Sequence, residues 1–205
     1  MQRLSPLDAM FLQQDGPTVP RQVASLAILE PGANLDYDRL VHVINERIAL
    51  VPRYRQVPRK VPGALGTPVW VDDEHFDISL HIRRSALPRP GSRDALHELV
   101  GRLIARRLDL DRALWELYLI EGLEGDRLAL LFKAHQALVD GSHTVDLAQV
   151  LLEETASDRD IPHEDWEPRH QPSTTGLLAS TLDHNVRHPG CLLYTSPSPR
   201  DATLS

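Results

Sequence analysis

The chain has 205 residues, of which 41% are hydrophobic and 25% are charged. That length allows one well-buried domain with or without a tail, and the composition is typical of a soluble globular protein. The net charge of −7 argues against a nucleic-acid surface, which is usually basic. The sequence has no bilayer-length apolar run and no signal-peptide core near Met1. We therefore expect a cytoplasmic protein whose contact with a membrane is peripheral.

The chain begins with a helix signal and a strand signal. Ser5 is predicted to cap a short helix that ends near residues 14–16, because Pro6 suits the first helical position and Asp8 completes a capping-box pattern. The run QVASLAIL, residues 22–29, is typical of a strand. These elements alone carry no function.

A second helix is predicted over residues 37–50, with Asp36 as its cap and one apolar stripe formed by Leu40, Ile44, Ile48 and Val51. Pro52 ends it. Arg53 and Arg55 follow, and one interpretation is a phosphate site for a CoA nucleotide; the other is an ordinary solvated or carboxylate-paired surface.

Proline and glycine punctuate residues 57–68, so loop and short edge strands are expected there. Short strands are predicted at residues 69–71 and 76–82. Ser92 is then predicted to cap an amphipathic helix that ends near Leu108. Its outward arginines suit either a membrane surface or a solvated face. They are Arg102, Arg106 and Arg107.

The centre of the chain is predicted to be a hairpin followed by a polar loop and a helix. The strands are residues 115–123 and 128–134, joined by the turn sequence Glu124-Gly125-Asp126. Apolar residues at helical spacing predict a helix from about residue 142. The intervening loop carries His135, Gln136, Asp140 and Gly141, and rigid elements on both sides would position them.

The last third is predicted to be less ordered. Residues 158–190 read as a proline-rich linker and the start of a further helix near residues 176–186. His184 and His188 have i,i+4 spacing, but a third ligand is lacking, so no metal site is predicted. Residues 191–205, which include the single cysteine, Cys191, resemble a peptide translated from sequencing-adapter DNA, and we predict that they are not native.

The segment HQALVDG, residues 135–141, resembles the HHxxxDG motif of the bacterial wax ester synthase/diacylglycerol acyltransferase family. This family lies within the acyl-CoA-dependent acyltransferase superfamily that includes condensation domains and chloramphenicol acetyltransferase. Supporting stretches occur in the expected order: LSPLDAMFL from Leu4, VPRYRQ from Val51, HIRRSALPRPG from His81 and LDLDRALWE from Leu108.

The resemblance implies an α/β acyltransferase fold, a mixed sheet flanked by helices. Residues 1–157 would form its N-terminal domain, and a second domain of the same fold would follow in the family. The implied reaction moves a fatty acyl group from acyl-CoA to diacylglycerol or a long-chain alcohol, with no cofactor beyond the acyl-CoA substrate. Contact with the inner membrane or lipid droplets would be peripheral, and no nucleic-acid partner is implied.

In the implied mechanism the second motif histidine takes the proton of the acceptor hydroxyl and returns it to the leaving thiolate. Asp140 would pair with an arginine and fix the loop, and Gly141 would supply the tight turn. Here the catalytic position holds Gln136, whose amide cannot act as a base at neutral pH. His135 would face the other way if the segment is extended, so we do not expect it to substitute.

Two interpretations of Gln136 stay open, because a single third-base change separates a glutamine codon from a histidine codon. A true substitution predicts impaired transfer, and the alternative function is then an inactive acyl-CoA- or lipid-binding homologue. A sequence error would conceal an active acyltransferase. A condensation domain of peptide synthesis shares the motif, but LSPLDAMFL and LDRALWE argue against it.

Overall fold

The computed structural model describes residues 2–32, 35–64, 66–139 and 166–187. Its strands are β1 (Gln2–Arg3), β2 (Gln22–Leu29), β3 (Gln56–Arg59), β4 (Val69–Asp72), β5 (Ile82–Ala86), β6 (Trp115–Leu123) and β7 (Arg127–His135). Its α-helices are α1 (Pro6–Gln14), α2 (Tyr37–Arg47), α3 (Arg93–Ala105), α4 (Gln136–Val139) and α5 (Thr174–Arg187). Short 3-10 turns lie at Ile48–Leu50, Pro52–Arg55, Pro62–Ala64 and Ile78–Leu80.

The main sheet has four strands in the order β2-β7-β6-β5. β7 is antiparallel to both of its neighbours, whereas β5 and β6 are parallel. A second sheet of three antiparallel strands has the order β1-β4-β3. The predicted fold class, a mixed sheet flanked by helices, is confirmed.

Side-chain caps start the three longer helices of the first half as predicted. At α1 both halves of the capping box form, since Ser5 Oγ accepts from Asp8 N at 3.1 Å and Asp8 accepts from Ser5 N at 3.3 Å. Asp36 Oδ1 accepts from Arg39 N at 2.8 Å. Ser92 Oγ accepts from Ala95 N at 3.2 Å. Local hydrogen bonding therefore fixes where each helix begins.

The two faces of the main sheet have separate cores. On one face, Trp115 and Leu117 of β6 pack with the apolar stripe of α2 and with Tyr54. On the other face, Tyr118 and Leu131 pack with α3. The alternation of β6 and β7 residues between the two cores follows from the period-2 geometry of a strand.

The β6–β7 hairpin is confirmed, and its turn is the predicted one. Gly125 and Asp126 adopt positive φ values of 78° and 54°. Arg127 closes the turn by donating from Nε to the Glu124 carbonyl at 2.9 Å. The hairpin thus delivers the end of β7 to a fixed point beside the start of β6.

Three predicted element bounds are wrong. Helix α2 ends at Arg47, and its stripe continues through the 3-10 turn Ile48–Leu50. The predicted strand at residues 76–82 begins only at Ile82, and a 3-10 turn lies before it at Ile78–Leu80, because Asp77 Oδ1 accepts from Ser79 N at 2.9 Å and bends the chain. Helix α3 ends at Ala105 rather than near Leu108, because Lys133 Nζ binds the carbonyls of Leu103 and Arg106.

The helix expected near residues 176–186 is α5. Arg3 holds it by donating to Ser180 O at 3.1 Å and Thr181 Oγ1 at 3.3 Å. The helix predicted from about residue 142, the boundary at residue 157, His188 and the tail at residues 191–205 lie outside the described residues, as does the side chain of His184. They stay predictions.

Candidate functional site at the end of strand β7

The first half of the motif lies at a strand-to-helix junction. His135 is the last residue of β7, and Gln136 is the first residue of α4. His135 N donates to Leu114 O at 3.0 Å, and Gln136 N donates to Arg21 O at 2.9 Å. The expected loop therefore does not begin at His135, because neighbouring backbone holds both residues in regular structure.

The imidazole of His135 is buried, and one of its two nitrogens has a hydrogen-bond partner among the described residues. Nδ1 accepts from Ala137 N at 3.0 Å, so in the neutral ring the proton sits on Nε2. Nε2 has no hydrogen-bond partner in the described part of the chain. Burial lowers the pKa of His135; nearby Asp15 opposes this shift and Arg107 adds to it. The ring is neutral at pH 7.

A carboxylate from the end of α1 faces this ring. Asp15 accepts from Arg21 N at 2.7 Å and from the guanidinium of Arg107. Its side chain is only 4% exposed. Burial raises the pKa of Asp15, but the hydrogen bonds from Arg107 and Arg21 outweigh burial, so the net shift is downward. Asp15 is an anion at neutral pH.

Gln136 is the residue for which the sequence resemblance predicts the position of the family's catalytic histidine. The residue is half-buried. Its side-chain oxygen is buried and accepts no hydrogen bond from any described residue. An amide oxygen in that position can accept a hydrogen bond from a hydroxyl but cannot remove its proton at neutral pH.

His135 does not supply the missing base. Its Nδ1 lone pair is taken by Ala137 N–H, and its Nε2 carries the proton. Gln22, the partner of His135 in β2, also borders the end of α3, where its amide donates to Arg106 O at 3.1 Å. The ring of His135 therefore belongs to the α3 side of the sheet, as its strand position predicts.

Asp140 and Gly141, the two other predicted site residues, lie outside the described residues. Their assigned roles stay predictions. Sequence reasoning missed Asp15, Arg21 and Arg107, which surround His135. The only local signal was the turn-like pair Asp15-Gly16, which names no partner.

The arginines proposed as an alternative phosphate site are engaged in the fold. The guanidinium of Arg53 lies 4.6 Å from the ring centroid of Trp70, and Arg53 also donates to Gln2. Arg55 is buried and stacks over Trp166 at 4.9 Å. Arg55 is therefore not solvated, and each guanidinium group lies over an aromatic ring. The phosphate-site interpretation stays a prediction.

The family-like stretches gather around the same end of the main sheet. The first forms α1, which packs on α4. Residues of the stretches that begin at His81 and Leu108 line one cavity beside Trp115. Among residues 2–32, 35–64, 66–139 and 166–187, no cluster of three metal-ligating side chains occurs and no helix is long and apolar enough to span a bilayer.

The comparisons with known proteins agree with this architecture. The sequence-family model of the wax ester synthase/diacylglycerol acyltransferase catalytic domain matches residues 4–204 of this chain. A Mycobacterium tuberculosis protein named "Probable diacyglycerol O-acyltransferase tgs3" is 44% identical over 192 residues, which are 93% of this chain and 71% of the relative.

Solved structures that resemble the fold include the following two. The wax ester synthase/diacylglycerol acyltransferase of Marinobacter aquaeolei VT8 is 32% identical with a TM-score of 0.55, over 68% of this chain and 35% of that one. A structure on condensation domain-mediated chain release from the enacyloxin polyketide synthase is 18% identical with a TM-score of 0.54, over 92% of this chain and 36% of that one. The second likeness concerns the fold alone.

The fold, together with a motif placed where a central strand turns into a helix, defines an acyltransferase domain of the HHxxxDG class. The chain belongs to the wax ester synthase/diacylglycerol acyltransferase family. It spans about a third of the length of the solved family member.

Proposed function

We propose that the chain is the N-terminal part of an O-acyltransferase that moves a fatty acyl group from acyl-CoA to diacylglycerol or a long-chain alcohol, with transfer slowed by Gln136. The observation that supports this proposal is the junction of β7 and α4, where Gln136 follows His135 at the turn from strand to helix. The names of the family and of the tgs3 relative support the reaction class.

The reaction requires one proton to move twice. A base takes the proton of the acceptor hydroxyl, and the oxygen attacks the thioester carbonyl. The C–S bond then breaks, and the proton goes to the departing thiolate. Gln136 can hold the hydroxyl by a hydrogen bond but cannot take its proton. Since general-base catalysis contributes about 10²- to 10⁴-fold, the rate is expected to fall by roughly that factor.

The direct test is Gln136→His in the full chain, assayed with labelled palmitoyl-CoA and dioleoylglycerol. We expect product formation to rise by about 10²-fold or more, because an imidazole regains the proton transfer. Gln136→Asn is the matched control, since it changes the side chain without adding a base. Equal rates in Gln136→His, Gln136→Asn and the unvaried chain would refute the proposal.

The second candidate function is an acyl-CoA- or lipid-binding homologue without turnover. Gln136 and His135 favour it, because the glutamine amide is not a base and the imidazole Nδ1 already accepts from Ala137 N while Nε2 carries the proton. This candidate predicts saturable palmitoyl-CoA binding by both the unvaried chain and Gln136→His, with no labelled triacylglycerol from either. Product from Gln136→His would exclude it for that variant.

We further propose peripheral contact with a membrane or lipid droplet, because the acceptors are water-insoluble. Flotation with dioleoylglycerol-containing vesicles tests this proposal. We expect co-flotation that survives Gln136→His, since the contact does not depend on catalysis. A chain that stays at the bottom of the gradient with and without vesicles would refute it.

A further inference from the structure

A polar cavity of about 250 Å³ opens where β6 begins and α3 ends. Two of its lining residues, His81 and Trp115, have buried rings. The ring of His81 stacks between Phe76, 5.2 Å away, and Trp115, 4.8 Å away. The rest of the lining is dominated by cations: Arg83, Arg106, Arg107 and Arg112.

The cavity's two carboxylates are already engaged. Glu116 Oε2 accepts from Lys133 Nζ at 3.0 Å and from the Tyr118 hydroxyl at 2.8 Å. Its other oxygen lies 3.5 Å from Arg83. The second carboxylate, Asp109, pairs with Arg112 at 3.3 Å. Local anions therefore do not offset the four arginines in full.

Two of the arginines retain free donors. Arg106 forms no ion pair and no side-chain hydrogen bond within the described part of the chain. Arg83 has a buried Nε without a hydrogen-bond partner among the described residues. A buried guanidinium N–H without an acceptor is costly, and an anion in the cavity would supply one.

His81 adds no positive charge at neutral pH. Its Nδ1 donates to Trp115 O at 2.9 Å, which fixes the ring against the cavity wall. Burial lowers the pKa of His81, although the bond to Trp115 and nearby carboxylates oppose that shift. The arginines alone thus supply the cavity's excess charge.

The cavity also adjoins the motif. Arg107 lines it and pairs with Asp15, whose Oδ1 lies 3.9 Å from His135 Nε2. A ligand held by the arginines would therefore lie at the same end of the sheet as residues 135 and 136.

We propose that this arginine cavity binds a phosphate group of the nucleotide portion of acyl-CoA. Planar guanidinium groups with several donors suit phosphate oxygens. The inference rests on the proposed function for the identity of the donor substrate. The phosphate of a lipid headgroup has the same charge chemistry, and the experiment separates the two sources.

The experiment measures binding of adenosine 3′,5′-bisphosphate to the full chain by calorimetry. We expect Arg106→Gln to weaken binding about five- to tenfold, because one charge-assisted contact is lost. Arg102→Gln is the matched control. It removes the same charge from the last turn of α3, four residues before Arg106, but among the described residues Arg102 pairs with Glu98, at 3.6 Å, and it does not line the cavity. Its effect is expected to be under twofold.

Two further arms identify the source of the phosphate. Inorganic phosphate alone should bind more weakly than the bisphosphate, because it lacks the nucleoside. Vesicles of phosphatidylglycerol and phosphatidylcholine should bind Arg106→Gln and Arg102→Gln equally. Vesicle binding that depends on Arg106, without bisphosphate binding, would overturn the nucleotide assignment in favour of a headgroup.

The proposal fails if Arg106→Gln and Arg102→Gln weaken bisphosphate binding to the same extent. Its failure is distinct from failure of the proposed function, because binding is measured without turnover. Arg106-dependent binding together with an inactive Gln136→His would leave the arginine cavity standing while refuting acyl transfer. Restored transfer with Arg106-independent binding would do the reverse.

Discussion

His135 Nε2 lies 3.9 Å from Asp15 Oδ1, too far for a hydrogen bond but close enough for the two groups to affect each other's charge. The carboxylate is held by Arg107 and by the backbone of Arg21, and it joins the end of α1 to the segment after α3. The Asp15 carboxylate therefore stabilises the surroundings of the motif through its contacts with Arg107 and Arg21.

Asp15→Asn is expected to lower the free energy of unfolding by about 2 kcal/mol, because it removes a buried charge-assisted contact and leaves Arg107 without its carboxylate. Urea unfolding at pH 7.5 measures the effect. Asp109→Asn is the matched control, since its side chain is 58% exposed in its pair with Arg112. We expect that change to cost less than about 0.5 kcal/mol. Equal costs for the two variants would contradict the assigned role of Asp15.

Local signals in the sequence predicted the caps, the hairpin and the position of the motif because each is determined within a few residues. Ser5, Asp36 and Ser92 bond to backbone three positions ahead. Asp15 and Arg107 are 92 positions apart. The sequence around either residue does not indicate that the other is its partner. The surroundings of His135 are therefore tertiary information that a single sequence does not carry.

The wrong strand at residues 76–82 has a different cause. The apolar residues there alternate well enough for a strand, but the side chain of Asp77 offers the backbone a competing bond at Ser79. The arginines of residues 53 and 55 were misjudged for a third reason. The rings over which they lie, Trp70 and Trp166, are distant in sequence.

The stability of the protein should fall as the pH drops below neutrality, because burial lowers the pKa values of His135 and His81 below the ordinary value of 6.5. Between the folded and unfolded pKa values the unfolded chain binds more protons, so unfolding becomes easier as the pH falls. The full contribution of the two neutral histidine rings to stability is present above pH 6.5. Thermal midpoints measured from pH 7.5 to pH 5 check this window.

His135→Asn should reduce that pH dependence while keeping a side-chain oxygen for Ala137 N–H. Protonating His135 would place a hydrogen on Nδ1, where Ala137 donates, so the loss at low pH has a structural as well as an electrostatic cause. His81→Asn should reduce the slope independently. An unchanged slope in both variants would show that neither ring carries the effect.

A buried cation connects the main sheet to α3. Lys133 has a fully buried side chain that donates to Glu116 and to the carbonyls of Leu103 and Arg106. Lys133→Met is expected to lower the free energy of unfolding by about 3 kcal/mol, because it leaves a buried carboxylate and two carbonyls short of a donor. Chemical denaturation measures that cost.

The double variant Lys133→Met with Glu116→Gln should recover part of the loss, because the carboxylate charge is removed together with its partner. The hydroxyl of Tyr118 provides a spectroscopic check. Burial first, and then the bond to Glu116, raise the pKa of Tyr118 to about 12. Glu116→Gln should therefore lower the pH at which this tyrosine ionises. Additive costs in the double variant would show that the two side chains do not interact.

Gly91 marks a point where two backbone segments meet without room for a side chain. It has a φ of 77°, and a Cβ atom there would lie 1.9 Å from Gly122 O and 2.9 Å from Glu124 N. Its carbonyl also accepts from Glu124 N at 3.0 Å, which ties the entry to α3 to the hairpin turn. We expect Gly91→Ala to lower the free energy of unfolding by about 3 kcal/mol or more, because the obstacle is backbone and the φ is unfavourable.

Gly101→Ala is the matched control. A Cβ atom there meets nothing within 4 Å inside α3, so this change should stabilise the protein by about 0.5–1 kcal/mol. Urea unfolding is expected to show a lower free energy of unfolding for Gly91→Ala and a higher one for Gly101→Ala. Two small changes of the same sign would refute the close approach at Gly91.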